Sequence, residues 1–362
     1  MQTSKQVQVR AACAINDYLA NVCSEAGIGQ MQLCGTGAVS ELEEKLKNYF
    51  GMRYALCVTN ATIGLLAVAL ALELRNEEFV TSPITYGASL AGLLLLGNKP
   101  IFADVDPGTL TLSPQSAQNV ITPKAKALLA VDIFGNPADT TSLRALAEQY
   151  GLWYIADAAQ SFGARRSGRP ASAFADAIVL SFTTGKSLFA GEGGAVLTNH
   201  ESLFEKLVWY TQHPHRQHKD LSLQFNNEFG VNGRIHPLAA VWANATFEDT
   251  LQGIRKHQAK CFNLIEALNE LGHTDEITFQ KQDIEPAFFR LTAKWKDKPK
   301  RERLVRELTE RSLPVSLEQL PVRLIYKQPA FLAQYKSNGA IRRCPEAERQ
   351  MQKRVCIIPK RT

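Results

Sequence analysis

The sequence predicts an α/β protein built around a mostly parallel sheet of seven strands. Short apolar runs alternate with segments of helical periodicity, and this alternation is typical of a doubly wound sheet. The strand-like runs are residues 54–58, 79–81, 100–103, 127–131, 153–156, 177–181 and 195–198. Polar residues follow three of these runs, at 59–62, 157–160 and 181–186. Because ligands bind beyond the carboxyl ends of parallel strands, we expect these three segments to meet in one site.

The helices between the strands are predicted from the spacing of apolar residues. Residues 39–50 place Leu42, Leu46 and Phe50 at intervals of four, which is the spacing of an amphipathic helix. Further helices are predicted at 63–74, 141–150, 202–210 and 237–271. The polar and histidine-rich segment 212–233 is predicted to be a loop, and its part 213–218 is expected to be either solvated or closing over a substrate.

The last third of the chain predicts a smaller α+β domain. We expect a strand at 287–291 and a charged helix at 300–311, with proline-rich turns around them. A chain of 362 residues is long for one ordinary domain, so two are expected. We predict a large domain at 1–250, which includes an N-terminal helical segment, and a small C-terminal domain at 251–362.

Composition is that of a globular protein, with 45% hydrophobic residues and a net charge of +6. This charge mildly favours anionic ligands, but no long Lys/Arg run or RNA-binding motif accompanies it, so nucleic acid is not an expected partner. The seven cysteines have neither metal-ligand nor redox spacing, which is typical of reduced thiols in the cytosol. No segment resembles a signal peptide or a bilayer span. We therefore expect a cytoplasmic protein without a membrane partner.

One lysine and one acid occupy positions suited to cofactor chemistry. Lys186 follows the strand-like run 177–181 and precedes the glycine-rich bend 191–194, while Asp157 directly follows the run 153–156. Pyridoxal phosphate requires a lysine that forms a Schiff base with its aldehyde and an acid that keeps its pyridine nitrogen protonated. We therefore predict a pyridoxal phosphate site with Lys186 and Asp157 as its catalytic residues. The alternatives are a solvated surface lysine and an aspartate that caps a helix.

Eight short segments, together with two near the C-terminus, carry a family resemblance. They are residues 37–43, 58–62, 83–86, 100–106, 134–139, 157–164, 181–194 and 230–234, followed by 344–349 and 357–359. In this order they resemble the DegT/DnrJ/StrS-type sugar aminotransferases, which are pyridoxal phosphate enzymes of fold type I. The resemblance implies that fold, an amino donor and a keto acceptor as partners, and a homodimer whose subunits share the active site.

The resemblance also implies roles for individual residues around the cofactor ring. Lys186 matches the Schiff-base lysine, which also moves the substrate proton, and Asp157 matches the partner of the pyridine nitrogen. Gln160 matches a position that touches the ring or its oxygen, and Tyr86 matches an aromatic residue that stacks on the ring. Arg234 matches a contact to the substrate or to the donor carboxylate, and a structural ion pair is an equal alternative.

Four further residues match positions that hold the cofactor phosphate. Ala61 and Thr62 would offer backbone N–H groups at a helix start, where the helix dipole favours an anion. The family has a Gly-Thr pair at this point, so the glycine is missing here. Ser181 would add a hydroxyl group, and Asn232 would reach the phosphate from the neighbouring subunit. The alternatives are an ordinary serine at a strand end and a turn asparagine.

The sequence thus predicts a pyridoxal phosphate-dependent aminotransferase that moves an amino group, with glutamate as the expected donor, to a keto-sugar, cyclitol or related ketone. Such reactions belong to secondary-metabolite or glycan biosynthesis. One alternative is a family member with other chemistry, such as a dehydratase, although those enzymes have histidine where this chain has Lys186. Another is a regulator without turnover, for which no helix-turn-helix is evident.

Two further interpretations, a cysteine desulfurase and a metal site, lack the motifs that they require. Cys344 and Cys356 lack the loop motif of a cysteine desulfurase. The histidines of segment 213–218 lack a carboxylate or thiolate partner motif, so no metal site is predicted.

Overall fold

A seven-stranded sheet lies at the centre of the protein, as predicted. The computed structural model describes residues 5–24, 33–223, 230–272, 284–294, 298–335 and 341–359. The strands of the sheet are β1 (Tyr54–Val58), β2 (Glu78–Thr81), β3 (Lys99–Phe102), β4 (Ala125–Val131), β5 (Trp153–Asp157), β6 (Ala177–Ser181) and β7 (Gly194–Thr198). Their spatial order is β1-β7-β6-β5-β4-β2-β3. The neighbours from β6 to β3 are parallel, whereas β7 is antiparallel to both β6 and β1, so the sheet is mostly parallel.

Helices cover both faces of this sheet. They are α1 (Lys5–Ser24), α2 (Ala38–Phe50), α3 (Ala61–Ala71), α4 (Gly87–Leu95), α5 (Pro114–Gln118), α6 (Thr140–Tyr150), α7 (Glu201–Thr211), α8 (Pro214–Leu221), α9 (Pro237–Glu270), α10 (Lys298–Glu310), α11 (Pro329–Tyr335) and α12 (Pro345–Lys353). In β5, Tyr154 and Ala156 belong to the core shared with α2, α6 and α9, whereas Ile155 belongs to the core shared with α3, α4 and α7. Burial on both faces explains why the strands are continuous apolar runs.

The helix α3 is held so that its first turn lies at the carboxyl end of β1. Asn60 precedes it, and its side-chain oxygen accepts a hydrogen bond from the Ile63 amide at 2.9 Å, which caps the helix. The helix packs closely against α4, because a Cβ atom at Gly92 would lie only 2.7 Å from the Leu66 backbone. The start of α3 is therefore placed by a cap and by helix packing.

A second, antiparallel sheet lies near the C-terminus, and its strands are β8 (Leu291–Lys294), β9 (Val315–Gln319) and β10 (Arg354–Pro359), with β10 in the middle. It shares a core with α10 and the last part of α9. The helix α9 itself runs across the predicted domain boundary after residue 250. The division into domains at this position stays a prediction.

The predicted strand at 287–291 is wrong, because β8 begins only at Leu291. Phe288 has a φ of 48°, which breaks the extended conformation. The amides of Ala287 and Arg290 donate to the carbonyls of Gly135 and Phe134 instead of to a strand. This segment is therefore a turn held against residues 134 and 135, which follow β4 of the large sheet.

The predicted loop at 212–233 is also wrong in part, because α8 occupies 214–221. Pro214 lies in the first turn of α8, where proline is favourable. His213 precedes it and caps the helix, because its ring nitrogen accepts a hydrogen bond from the His215 amide at 3.2 Å. Arg216 and Gln217 are buried, so the polar composition hid an inward face. Residues 224–229 of the predicted loop lie outside the described residues.

Candidate active site

A pocket of about 330 Å³ lies at the carboxyl-terminal edge of the large sheet. Strands β1, β5 and β6 end beside it, and helices α3 and α4 begin there. The pocket brings together seven of the predicted site residues: Ala61, Thr62, Tyr86, Asp157, Gln160, Ser181 and Lys186. The three segments that the sequence placed at strand ends therefore meet in one site.

Asp157 is the last residue of β5, and it is 5% exposed. Its Oδ2 atom accepts a 2.6 Å hydrogen bond from the Ser89 hydroxyl, and its Oδ1 atom accepts from the Ala159 amide at 3.1 Å. The Ser89 hydroxyl oxygen lies 2.7 Å from Thr85 Oγ1. These donors orient the carboxylate and offset part of the free-energy penalty of its burial.

Asp157 has no cation within ion-pair distance among the described residues, so a buried negative charge faces the pocket without a paired positive one. A buried carboxylate is usually paired, because an isolated buried charge is unfavourable. A ligand that carries a positive charge would complete the pair. The protonated ring nitrogen of pyridoxal phosphate is such a group.

Lys186 lines the same pocket from the loop after β6. Burial lowers the pKa of Lys186 below that of a free lysine, the charge of Asp157 opposes this shift, and the charge of Arg290 adds to it. Its Nζ atom lies 4.9 Å from the centroid of the Phe289 ring. The amine is thus desolvated inside a pocket that also contains a carboxylate.

The loop that carries Lys186 is closed by its own backbone hydrogen bonds. The Phe182 amide donates to the Gly193 carbonyl at 2.8 Å, and the Thr184 amide donates to the Gly191 carbonyl at 3.1 Å. Gly191 has a φ of 80°, a conformation that glycine adopts without strain. The glycine-rich bend predicted from the sequence therefore folds back on the lysine loop and supports it.

The first turn of α3 offers donors for an anion. The amides of Ala61 and Thr62 begin the helix and have no carbonyl one turn earlier within it, whereas the Ile63 amide is bound by the Asn60 cap. Ser181 ends β6 and lines the same pocket. Two free amides, a hydroxyl and the helix dipole together suit a phosphate group.

Gln160 and Tyr86 reach the pocket in different ways. Gln160 is buried, and its Oε1 atom accepts a 2.7 Å hydrogen bond from the Phe134 amide, which fixes the side chain in place. Tyr86 precedes α4, and the residue is 41% exposed at the edge of the pocket. An aromatic ring in this position is available for stacking on a flat ligand.

Asn232 and Arg234 do not line the pocket of their own chain. The segment lies beside the end of β1, where the Thr59 amide donates to the Gly233 carbonyl at 2.7 Å and the Thr59 hydroxyl donates to the Arg234 carbonyl at 3.1 Å. The Asn232 side chain is exposed to solvent. Their predicted roles therefore need either a second subunit or a ligand that extends beyond the pocket.

Sequence reasoning missed several groups at the site. Ser89 lies in the first turn of α4, three residues after Tyr86, and this short spacing is the signal that could have identified it. Thr183 donates a 2.7 Å hydrogen bond to Glu192, and both line the pocket. Phe289 is brought to Lys186 by the turn before β8, a contact between distant residues for which the sequence carries no local signal.

Comparison with known proteins decides the family. The sequence profile of the DegT/DnrJ/EryC1/StrS aminotransferase family matches residues 18–361. The chain belongs to this family. The resemblance predicted from the sequence is thereby confirmed.

A curated relative is the UDP-2-acetamido-2-deoxy-3-oxo-D-glucuronate aminotransferase of Pseudomonas aeruginosa. It is 35% identical over 205 residues, which are 56% of this chain and 55% of the relative. The chain therefore spans about half the length of that relative.

Three solved structures share the fold of this chain. The aminotransferase from Psychrobacter cryohalolentis has a TM-score of 0.81 at 23% identity, covering 99% of this chain and 92% of that chain. A DegT DnrJ EryC1 StrS aminotransferase from Brucella abortus has a TM-score of 0.77 at 22% identity, covering 98% and 91%. NtdA from Bacillus subtilis, with bound cofactor PMP, has a TM-score of 0.80 at 21% identity, covering 98% and 78%. The predicted fold class is confirmed.

Aminotransferases of this family use pyridoxal phosphate, which confirms the predicted cofactor at the level of the family. The pocket fits this group, since it combines a partly buried lysine, a buried carboxylate with no cationic partner in the described part of the chain, and the first amides of a helix. Cys344 and Cys356, which a desulfurase would need near the site, are buried and do not line the pocket.

The described residues contain neither a candidate metal site nor a candidate membrane span. No three or more His, Cys, Asp or Glu side chains lie where they could together bind a metal ion in these parts of the chain. No helix among them combines the length and the apolar character that a membrane span requires.

Proposed function

We propose that the protein is a pyridoxal phosphate-dependent aminotransferase that transfers an amino group from an amino acid to a keto-sugar, cyclitol or related ketone. The observation that supports this most strongly is the presence of Lys186 and Asp157 in one pocket. The lysine is desolvated, and the carboxylate is buried without a cationic partner among the described residues. Glutamate is the donor that we propose.

The described residues suit the parts of the cofactor in turn. When bound, pyridoxal phosphate supplies an electron sink that stabilises negative charge on the carbon next to the amino group. Asp157 would face the ring nitrogen and keep it protonated, and Tyr86 would cover the ring. The amides of Ala61 and Thr62 and the hydroxyl of Ser181 would hold the phosphate. Each of these groups lines the pocket.

Three further roles complete the proposed site. Gln160 would contact the ring or its oxygen through the part of its side chain that the Phe134 amide leaves free. Asn232 would bind the phosphate in the site of the partner subunit, because it is exposed and lies outside the pocket of its own chain. Arg234 would contact substrate at the same boundary.

Lys186 would hold the cofactor and act as the base and acid of the reaction. A neutral amine is needed both as a nucleophile and as a proton acceptor. Since burial lowers the pKa of Lys186, a larger fraction of it is neutral near pH 7 than for a solvated lysine. Its Nζ atom would move the proton between the substrate carbon and the cofactor carbon.

The acceptor is proposed from the named relative and from charge. The Pseudomonas relative is named for a nucleotide-linked keto-sugar that carries a carboxylate. The net charge of +6 on this chain favours anionic substrates of that class. We therefore propose an anionic keto-sugar as the acceptor to be tested first.

The test begins with the covalent attachment of the cofactor. Borohydride treatment of cofactor-saturated protein is expected to leave a pyridoxyl group on the peptide that contains Lys186, as measured by mass spectrometry. Lys186→Ala should carry no such group, whereas Lys206→Ala, a surface control, should carry it. Label should exchange between glutamate and 2-oxoglutarate in the presence of the wild-type protein. A modified Lys186 without exchange from any amino acid would contradict the aminotransferase and favour the regulator or another reaction.

We propose further that the active enzyme is a homodimer with shared sites. The exposed position of Asn232 beside the end of β1 supports this. A mixture of Lys186→Ala and Asn232→Ala subunits should regain activity, because each hybrid dimer contains one site with both residues intact. Light scattering should give the mass of a dimer. A mixture that stays as inactive as its parents would place Asn232 in the site of its own chain.

We propose a cytoplasmic location, supported by cysteines that lie singly in the interior. Cys57 and Cys261 are buried, and neither forms a disulfide. Such use of cysteine is typical of proteins in a reducing compartment. Cell fractionation followed by immunodetection tests this location, and recovery of the protein outside the cytoplasmic fraction would contradict it.

A further inference from the structure

Arg290 lies beside the pocket, in the turn that precedes β8. The carbon at the centre of its guanidinium group is 5.0 Å from the centroid of the Phe289 ring. The Nζ atom of Lys186 is 4.9 Å from the same centroid. One aromatic ring therefore contacts both cations, and it links the arginine to the amine at the reaction centre.

The backbone around Arg290 is held in place by the turn that follows β4, at residues Ile133–Gly135. Its amide donates to the Phe134 carbonyl at 3.0 Å, and the Ala287 amide donates to the Gly135 carbonyl at 2.9 Å. A Cβ atom at Gly135 would lie 2.7 Å from the Phe289 amide nitrogen, so only glycine permits this close approach. The guanidinium group is thus carried by a turn that is fixed at two points.

The hydrogen bond to Phe134 also connects Arg290 to a residue of the pocket. The Phe134 carbonyl accepts from the Arg290 amide, while the Phe134 amide donates to the side chain of Gln160. Gln160 lines the pocket and is buried. Because these bonds are short and consecutive, Arg290 is positioned relative to the pocket before any ligand binds.

The guanidinium group has no carboxylate partner among the described residues. Its Nη1 atom donates to the Phe289 carbonyl at 3.1 Å, which leaves most of its five N–H donors for a ligand. Arg144 is different, because its Nη1 atom is paired with Asp176 at 2.8 Å. Arg290 is half-buried, so an anion would be bound there with less screening than at an exposed arginine.

The charge of Arg290 acts on the residues of the pocket. Burial lowers the pKa of Lys186, and the positive charge of Arg290 contributes to that shift. Burial raises the pKa of Tyr86, and the charge of Arg290 opposes that rise. Both residues line the pocket, so a ligand between them lies within the field of this arginine.

We propose that Arg290 binds a carboxylate group of a substrate while the reacting carbon lies at Lys186. The inference rests on the proposed function, since it names the substrate group that this pocket recognises. A guanidinium group binds a carboxylate through two parallel hydrogen bonds and therefore fixes its orientation. The carboxylate belongs either to the amino-acid donor or to an acidic sugar acceptor.

The test compares three variants of the full-length, cofactor-treated protein. Arg290→Gln removes the charge, and Arg290→Lys keeps the charge but loses the paired hydrogen bonds. Arg53→Gln is the matched control, because the Arg53 guanidinium also lies over an aromatic ring, at 5.4 Å from Tyr54, but at the opposite end of β1 from the pocket. Calorimetry measures the binding of glutarate, and of UDP-glucuronate relative to UDP-glucose.

If Arg290 binds the carboxylate of the donor, Arg290→Gln should bind glutarate at least about tenfold more weakly than wild type and keep the preference for UDP-glucuronate over UDP-glucose. If Arg290 binds the carboxylate of the acceptor, Arg290→Gln should lose that preference and bind glutarate as wild type does. Arg290→Lys should fall between wild type and Arg290→Gln, and Arg53→Gln should equal wild type. The inference is overturned if Arg290→Gln binds all three probes as wild type does, or if wild type binds no carboxylate probe.

Failure of this inference is distinguishable from failure of the proposed function. Borohydride modification of Lys186 in Arg290→Gln shows that the variant is folded and loads the cofactor. Modified variants with unchanged probe binding contradict the role of Arg290 alone. Wild-type protein without modification at Lys186 contradicts the proposed function, and glutarate binding, which calorimetry reads without the cofactor, still tests Arg290.

Discussion

Arg216 in α8 and Glu43 in α2 form an ion pair inside the protein, and replacement of Arg216 by methionine should destabilise it strongly. The two side chains are 3% and 8% exposed. Arg216 donates from Nη2 to Glu43 Oε2 at 2.8 Å and from Nη1 to Oε1 at 3.1 Å. Glu43 Oε1 also accepts from the Cys57 amide at 2.8 Å, and Arg216 Nε donates to Asp220 at 2.9 Å. The pair therefore ties α2, β1 and α8 together.

The magnitude follows from what each variant leaves behind. Arg216→Met leaves the Glu43 carboxylate buried with only the Cys57 amide, and an uncompensated buried charge costs about 3–5 kcal/mol. Glu43→Gln keeps an oxygen for the Cys57 amide and leaves Arg216 paired with Asp220, so we expect a loss of about 1–3 kcal/mol. The double variant should lose less than the two single losses combined, because it buries neither charge of the pair.

Urea unfolding followed by tryptophan fluorescence measures these free energies. Lys206→Met is the control, because its ion pair with Glu73 lies at the surface and should contribute nothing measurable. The reasoning is refuted if Arg216→Met loses less than about 1 kcal/mol, or if the losses of the two single variants add. Either result would mean that water or another group compensates Glu43 in the folded protein.

Three further predictions concern single residues. Ser89→Ala removes a donor to Asp157, so we expect cofactor affinity, measured by titration with pyridoxal phosphate, to fall about tenfold or more; Ser89→Thr should restore it, and unchanged affinity would contradict this. Gly92→Ala should lose about 1–3 kcal/mol in urea unfolding, whereas Gly87→Ala, whose Cβ meets no atom within 4 Å, should not. Burial raises the pKa of Asp132 from its ordinary 3.8 to about 6, so the folded state binds this proton more tightly than the unfolded state. The free energy of unfolding of the wild type, relative to that of Asp132→Asn, should therefore fall as the pH rises from about 4 to about 7. An equal pH dependence of unfolding for both proteins would contradict this.

The sequence predicted the strands well because parallel strands are buried on both faces. All seven apolar runs correspond to strands of the large sheet, with ends that agree or differ by at most two residues. Such runs carry their signal locally, in residues such as Ile155 and Val179 that must be apolar whichever face they cover. The pocket followed from the same pattern, because parallel strands place their carboxyl ends at one edge.

The sequence predicted less where the structure depends on contacts between distant residues. The helix α8 is polar along most of its length, and its inward face is set by Arg216, whose partner Glu43 lies far away in the chain. The turn before β8 takes its shape from hydrogen bonds to Phe134 and Gly135. Neither partner can be identified from periodicity, since both pairings arise only when the sheet has formed.

The protonation of Lys186 depends on groups from the large sheet and from the turn before β8. Burial in the pocket favours the neutral form of the Lys186 amine. The carboxylate of Asp157, at the end of β5, favours the charged form, whereas Arg290, in the turn before β8, favours the neutral form. A carboxylate bound at Arg290 would cancel that last effect and raise the proton affinity of the amine. The position of a turn outside the large sheet thus influences the protonation of the residue on which the proposed chemistry depends.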